Sequence, residues 1–171
     1  MRHIHCGPNL QCPQNLNFAY EPNHVRRAGI IPYMVYNGIT YVLLGMSKDK
    51  TPVWADLGGR SESSETPLET AIREFNEESR HVMSLDLKNR LSKILLTGRD
   101  GSHHPDQMLL IVEVDPSPYN ININNIFQTT TPKTQYEDEM SYLQWIPYDT
   151  FLSMNGTTSS IKAIQDLLNT L

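Results

Sequence analysis

Cysteine is scarce, with only Cys6 and Cys12 among 171 residues. Two thiols are too few for a disulfide scaffold, and a reducing, cytoplasmic setting is the expectation. No apolar run reaches the ~20 residues that cross a bilayer, so no membrane partner is expected. The N-terminus, MRHIHCGPNL, lacks the apolar centre of a secretory signal. An excess of positive charge is also missing: 14 Lys and Arg against 19 Asp and Glu give a formal net charge of -5. That balance argues against a non-specific nucleic-acid binder. No internal repeat and no linker divides the chain, which is long enough for one domain with a real core.

What the sequence does have is the stretch Gly58–Val82, GGRSESSETPLETAIREFNEESRHV. Thr66, Pro67 and Glu69 read as the N-cap, first and third positions of a helix, a capping box with proline where its missing N–H costs nothing. Leu68, Ala71, Ile72 and Phe75 recur at helical spacing and form an apolar face. Beside it, Glu74, Glu77 and Glu78 share a stripe. Like charges at this spacing repel by a few tenths of a kcal/mol. They call for a neutralising partner, either Arg73 or a hard divalent cation such as Mg²⁺, which takes carboxylate oxygens. The plain alternative is a surface helix with a solvated acidic face. Arg80 and His81 are expected at the helix end, where cations suit the dipole.

The combination of Gly59, Glu65, Arg73, Glu74, Phe75, Glu77 and Glu78 resembles the signature of the Nudix hydrolase family. Two positions depart from it: Arg80 stands where the family has glycine, and His81 where it has an aliphatic residue. The resemblance implies an α/β fold, an α/β/α sandwich with a mixed sheet and flanking helices. It also implies a hydrolase acting on phosphoric anhydride bonds. Carried over position by position, it makes Glu74, Glu77, Glu78 and the Gly58 carbonyl the ligands of Mg²⁺, with Mn²⁺ as a substitute. Glu77 and Glu78 are then catalytic, together with Arg73, which orients the glutamates by pairing with Glu65. Gly59 and Glu65 are structural within the motif. The general base is either a motif glutamate or a distant acid; in the cluster Glu137-Asp138-Glu139, Glu139 is the candidate.

The rest of the chain is read in order. Residues 1–27 are expected to be an irregular N-terminal arm, and 28–171 the Nudix hydrolase domain. In the arm, His3, His5, Cys6 and Cys12 are zinc ligands in kind but follow no common zinc spacing. Ala28–Tyr36 and Thr40–Ser47 form a hairpin about Asn37-Gly38, with Pro32 at a bulge or edge position. Val53–Leu57 is a short strand. Ile94–Thr97 is a second candidate strand, and Gln107–Val114 the clearest buried one. Asp115–Thr134 reads as a long loop. Met140–Ile146 is the last strand, Tyr148–Met154 a helical turn, and a final helix capped by Ser159 or Ser160 runs to Leu168.

Arg60, Arg27 and Arg99 are candidates for phosphate, and Trp54 for stacking on a base. The loop histidines His103 and His104 rank below them. The expected substrate is a small phosphate-containing molecule, a nucleoside diphosphate linked to another moiety. Diphosphoinositol polyphosphates and capped mRNA are alternatives within the same fold, and a catalytically inactive binding module is the alternative outside enzymology. A monomer and a homodimer are equally compatible with the sequence.

Overall fold

In the computed structural model, residues 24–98 and 105–169 are described. Seven strands form one mixed sheet: β1 (Arg27–Tyr36), β2 (Ile39–Ser47), β3 (Trp54–Ala55), β4 (Leu57–Arg60), β5 (Leu91–Gly98), β6 (Pro105–Glu113) and β7 (Met140–Pro147). The hairpin turns on Asn37 at φ 50 and Gly38 at φ 78, the two positive values that a type I′ turn requires. The sheet splits about β1. Its first half pairs antiparallel with β4, Arg27 opposite Arg60 through Ile30 opposite Leu57. Its second half pairs with β2, Tyr33 opposite Val42 through Tyr36 opposite Ile39. On its other side β1 runs parallel to β6.

Pro32 is therefore not on an edge strand, and β1 carries no bulge at that point. The Tyr33 carbonyl accepts from Val114 on the β6 side. Successive residues of a strand alternate their backbone polar groups between its two edges, so the Pro32 nitrogen faces the other edge. There β4 has ended and β2 has not begun. The missing N–H falls where the ladder is already broken.

Alternation along the strands builds two cores. Ala28, Ile30, Leu43, Ile94, Leu96, Met108 and Leu110 face one way, and Ile31, Val42, Leu44, Leu95 and Leu109 the other. On the first face lie α1 (Pro67–Glu78), with Ala71 and Phe75 buried, and α4 (Ile123–Thr129), with Ile123 and Phe127 buried. On the second lie α5 (Tyr148–Ser153), through Phe151, and α6 (Ser159–Leu168), through Ile161, Ile164 and Leu167. The result is the α/β/α sandwich. Two short helices complete it, α2 (Leu87–Arg90) and α3 (Pro118–Ile121).

The segment read as a long loop, Asp115–Thr134, instead contains α3 and α4. Ser117 caps α3 by accepting from the Asn120 N–H, with Pro118 in the first turn. Asn124 accepts from the Leu143 N–H and Gln128 donates to the Ser141 carbonyl, so α4 also covers the outer edge of β7. The cap of α6 is Thr158, one residue before the expected serine.

Helix α1 carries its capping box, Thr66 accepting from Glu69 N–H and Glu69 from Thr66 N–H. It ends in a Schellman turn: the Arg80 N–H donates to Glu77 and the His81 N–H to Asn76. That motif wants glycine at the first residue past the cap. Here Arg80 occupies it at φ 55, and His81 follows at φ 57. A non-glycine residue in this region costs of order 1 kcal/mol or more. The Arg80 side chain repays the strain through its partners, described below, whereas the exposed His81 side chain has no hydrogen-bond or ion-pair partner among the described residues. His81→Gly is expected to stabilise the fold by about 0.5–1 kcal/mol. A higher urea midpoint at constant slope would show it, and a lower midpoint would mean that the imidazole makes contacts worth more than the strain.

Candidate active site

The site forms where β4 delivers its glycines against the last two turns of α1. Gly58 and Gly29 face each other across β1 and β4. A Cβ on Gly58 would lie 2.6 Å from both the Gly29 Cα and the Asp56 carboxylate, and one on Gly29 would also run into Asp56. The two glycines thus make room for a fully buried carboxylate. A Cβ on Gly59 would lie 2.5 Å from the Glu74 carboxylate oxygens. Glycine is needed at these positions because acidic side chains lie directly on the backbone.

Asp56 is bound by Arg27 through two nitrogens, at 2.8 and 2.9 Å, and Arg27 also donates to Gln107 at 3.1 Å. Gln107 reaches on to the Ser160 carbonyl of α6. The bidentate pair gives Asp56 the compensation a buried charge requires. It also commits Arg27 to a structural role beneath the site, unlike the free phosphate contact expected of it. Asp56 was not singled out from the sequence. Its signal was a lone acid inside the apolar run Val53–Leu57.

Glu78 is 4% exposed and accepts from the Gly58 N–H at 3.0 Å. Burial pushes its carboxyl well above the ordinary carboxylate range, and the charges of Asp56, Glu74 and Glu139 add to this, with Arg27 opposing. Glu74 is raised as well, by burial first, while Arg73 pulls the other way. Arg73 binds Glu65 at 2.5 and 2.9 Å, Glu74 at 2.9 Å, Glu77 at 3.3 Å and the Arg60 carbonyl at 3.0 Å. Its hydrogen bonds hold Glu65 down at about 2. The Arg73–Glu65 pairing is the one the motif implied.

Glu78, Asp56, Gly58 and Glu139 border one cavity of about 440 Å³, together with Arg27 and Lys48. Within the distal acidic cluster the three acids differ. Glu137 is buried and accepts from the Lys133 N–H. Asp138 is paired with Lys48 and Arg80, and the Lys48 hydrogen bond lowers its carboxyl. Glu139 is the acid of the three that borders the cavity with Glu78, and its charge adds to the upward push on Glu74 and Glu78. A second cavity, about 710 Å³, lies on the far side of α1 between Phe75 and Leu87 and holds none of the motif glutamates.

Among the remaining candidates, Arg60 is exposed at the end of β4. Trp54 is not brought to the carboxylates. Its ring meets Tyr142 edge-on at 5.7 Å and packs against the second core, while its neighbour Ala55 borders the cavity. A two-residue strand still alternates faces, and sequence proximity to Gly58 did not reveal which face Trp54 takes. Arg99, His103, His104, Cys6, Cys12, His3 and His5 lie outside the described residues.

The donor set suits a hard divalent cation. It is made of carboxylates and peptide oxygens, and in its most buried member, Glu78, burial and the charges of three other acids outweigh the opposing charge of Arg27. As they stand, no three His, Cys, Asp or Glu side chains among the described residues converge as a ready ligand group. The reason is visible in the contacts: Glu74 and Glu77 are turned to Arg73, and Glu78 to the Gly58 N–H. No helix among the described residues is long and apolar enough to cross a membrane.

Comparison with known proteins agrees with this geometry. Over 59 residues the chain is 44% identical to an uncharacterized protein of Acanthamoeba polyphaga mimivirus, a match that spans 32% of this chain and only 19% of that protein. The fold is similar to that of RenU, a Nudix hydrolase from M. smegmatis, with a TM-score of 0.56 at 18% identity, covering 87% of this chain and 85% of that one. It is also similar to a C. elegans Ap4A hydrolase, with a TM-score of 0.50 at 14% identity, covering 86% and 100%. A family model described as the NUDIX domain matches residues 24–167, and with that match over most of its length the chain belongs to the Nudix family.

Proposed function

We propose that this protein is a Mg²⁺-dependent pyrophosphohydrolase that cleaves the diphosphate linkage of a nucleoside diphosphate joined to another moiety. The observation that carries the reading is the Glu78 carboxylate, buried on the Gly58 N–H in a cavity with Asp56 and Glu139. A protein has no structural reason to bury an acid against other acids. The arrangement gains meaning when a cation and an anionic phosphate chain arrive together.

In this reading Glu74, Glu77, Glu78 and the Gly58 carbonyl hold the ion. When bound, the ion supplies charge neutralisation of the phosphoryl oxygens and a more acidic water. The chain's own residues do the rest. Arg73 keeps Glu74 and Glu77 oriented and is itself anchored by Glu65 and the Arg60 carbonyl. Glu139 accepts the proton of the attacking water at its carboxylate. Arg60, exposed beside the glycines, meets a phosphate of the substrate. Asp56 and Arg27, paired with each other at the border of the same cavity, hold the start of β4 against β1 beside Glu78.

A panel of nucleotide sugars, ADP-ribose, dinucleoside polyphosphates, oxidised nucleotides, capped RNA and diphosphoinositol polyphosphates tests the reading. Dinucleoside polyphosphates earn a place because one similar fold is an Ap4A hydrolase. Cleavage of one class with Mg²⁺, reduced on the order of a hundredfold or more in Glu78→Gln, is expected. Turnover near wild type in that variant would sink the assignment.

The same variant has a stability signature. The Glu78 carboxyl is raised in the folded state, so its ionisation costs stability as pH rises above the ordinary carboxylate range. Glu78→Gln should be more stable than wild type at neutral pH, with the difference vanishing in acid. Chemical denaturation across pH checks the sign. Glu65 behaves oppositely: its carboxyl is held at about 2 against 4.5. Its contribution is complete above 4.5 and lost as pH falls toward about 2. Glu65→Gln should therefore destabilise at neutral pH and converge with wild type in strong acid. Millimolar Mg²⁺ should raise the Tm of the wild type and leave Glu78→Gln unchanged, because only an ion that binds the folded state stabilises it.

A further inference from the structure

Arg80 has no place in the chemistry just described, yet it is among the most heavily engaged side chains in the molecule. It is 8% exposed and lies with its guanidinium 4.0 Å from the centre of the Phe127 ring. Its Nε donates to the Glu137 carbonyl at 2.9 Å, and its Nη1 to the carbonyls of Phe127 and Thr130 at 3.2 and 3.1 Å. Its Nη2 reaches the Met140 carbonyl and the Asp138 carboxylate, both at 3.4 Å. A buried guanidinium needs its donors matched by acceptors, and here four of the five are main-chain carbonyls.

The four carbonyls bracket one segment. Phe127 and Thr130 lie at the C-terminal end of α4, where carbonyls lack helical partners. Glu137 and Met140 lie on either side of Glu139, in and after the short 3-10 turn Tyr136–Asp138. Asp138 carries the connection onward to Lys48, whose own backbone N–H donates to the Glu139 carbonyl at 3.0 Å. Glu139 is exposed, and among the described residues no side-chain hydrogen bond or ion pair holds its carboxylate. Its position is set by what grips the peptides before and after it. Arg80 is one residue past the cap of the helix that carries Glu78, so a single side chain ties the two halves of the cavity together.

We propose that Arg80 is a positioning residue for hydrolysis, fixing Glu139 opposite Glu78 by clamping the carbonyls on both sides of it. The proposal rests on the reading of Glu139 as the base. It also accounts for a bulky residue in a backbone conformation that favours glycine: the guanidinium can reach α4 and β7 from that one place. A merely structural tie would make the same contacts, and the two roles separate by experiment.

Four variants are needed: Arg80→Gly, Arg80→Lys, Glu139→Gln, and Arg80→Gly combined with Glu139→Gln. Backbone hydrogen exchange needs no substrate. In Arg80→Gly, protection should fall in residues 130–140 and be retained in α1. Unchanged exchange in 130–140 would overturn the clamp. Kinetics use diadenosine tetraphosphate and ADP-ribose with Mg²⁺. Arg80→Gly should lower kcat tenfold or more with KM within about twofold, Arg80→Lys should recover part of the loss, and the loss should disappear in the Glu139→Gln background. An equal loss in both backgrounds would overturn the route through Glu139. If Glu139→Gln alone turns over at the wild-type rate, the base assignment fails, and the route from Arg80 fails with it. If Glu78→Gln is also fully active, the hydrolase site itself is misread. Should Arg80→Gly not fold, Arg80→Lys carries the same comparisons, since it keeps the charge and cannot span all four carbonyls.

Discussion

The hydrogen bond from the Gly58 N–H to the Glu78 carboxylate is the constraint from which the rest follows. It requires β4 to come close to the end of a helix, which the next residue, Gly59, permits because a Cβ there would meet the Glu74 carboxylate. It requires the sheet to part, so that β4 occupies the first half of β1 and β2 the second. It also buries an acid, which must be offset. Arg27 borders the same cavity but is already matched to Asp56. The compensation inside the fold is thus partial, and the remainder is what a cation and its phosphate ligand would complete.

Three arginines divide the labour of holding this centre. Arg73 organises the outer carboxylates and is anchored by Glu65. Arg27 ties β1 to β4 through Asp56 and, through Gln107, to α6. Arg80 ties the helix end to the segment that bears Glu139. Each makes several hydrogen bonds in fixed geometry, which lysine cannot reproduce. The exposed pair of Lys162 with Asp166 contributes little by comparison.

Much of this was legible in the residues. The capping box of α1, its apolar face and the Arg73–Glu65 pairing all follow from local spacing, and so does the turn at Asn37-Gly38. Strand β6 declared itself by the apolar run Met108–Val112, and β7 was legible as Met140–Ile146 ahead of Pro147. What was hidden depended on tertiary context. Helices α3 and α4 are short and rich in asparagine, whose propensity favours loops; they form because Ile123 and Phe127 find the core and Asn124 and Gln128 find β7. Trp54 adjoins the glycines in sequence, yet its ring packs on Tyr142 and the second core, a placement that spacing alone could not show. Asp56 could be valued only once Gly29 and Gly58 were seen to make room for it. The helix end at Arg80 was read as a favourable charge near a dipole, whereas the guanidinium is folded inward and used as a multiple donor.

The character of the Arg80 contacts has an evolutionary consequence. Four of its acceptors are peptide carbonyls, present whatever the side chains around them. Apart from Phe127, whose ring lies against the guanidinium, and Asp138, which pairs with it, the 127–140 segment can therefore change its side chains without removing an acceptor from the clamp. Covariation would leave the carbonyl contacts unmarked; they are a dependence of one side chain on the path of the main chain.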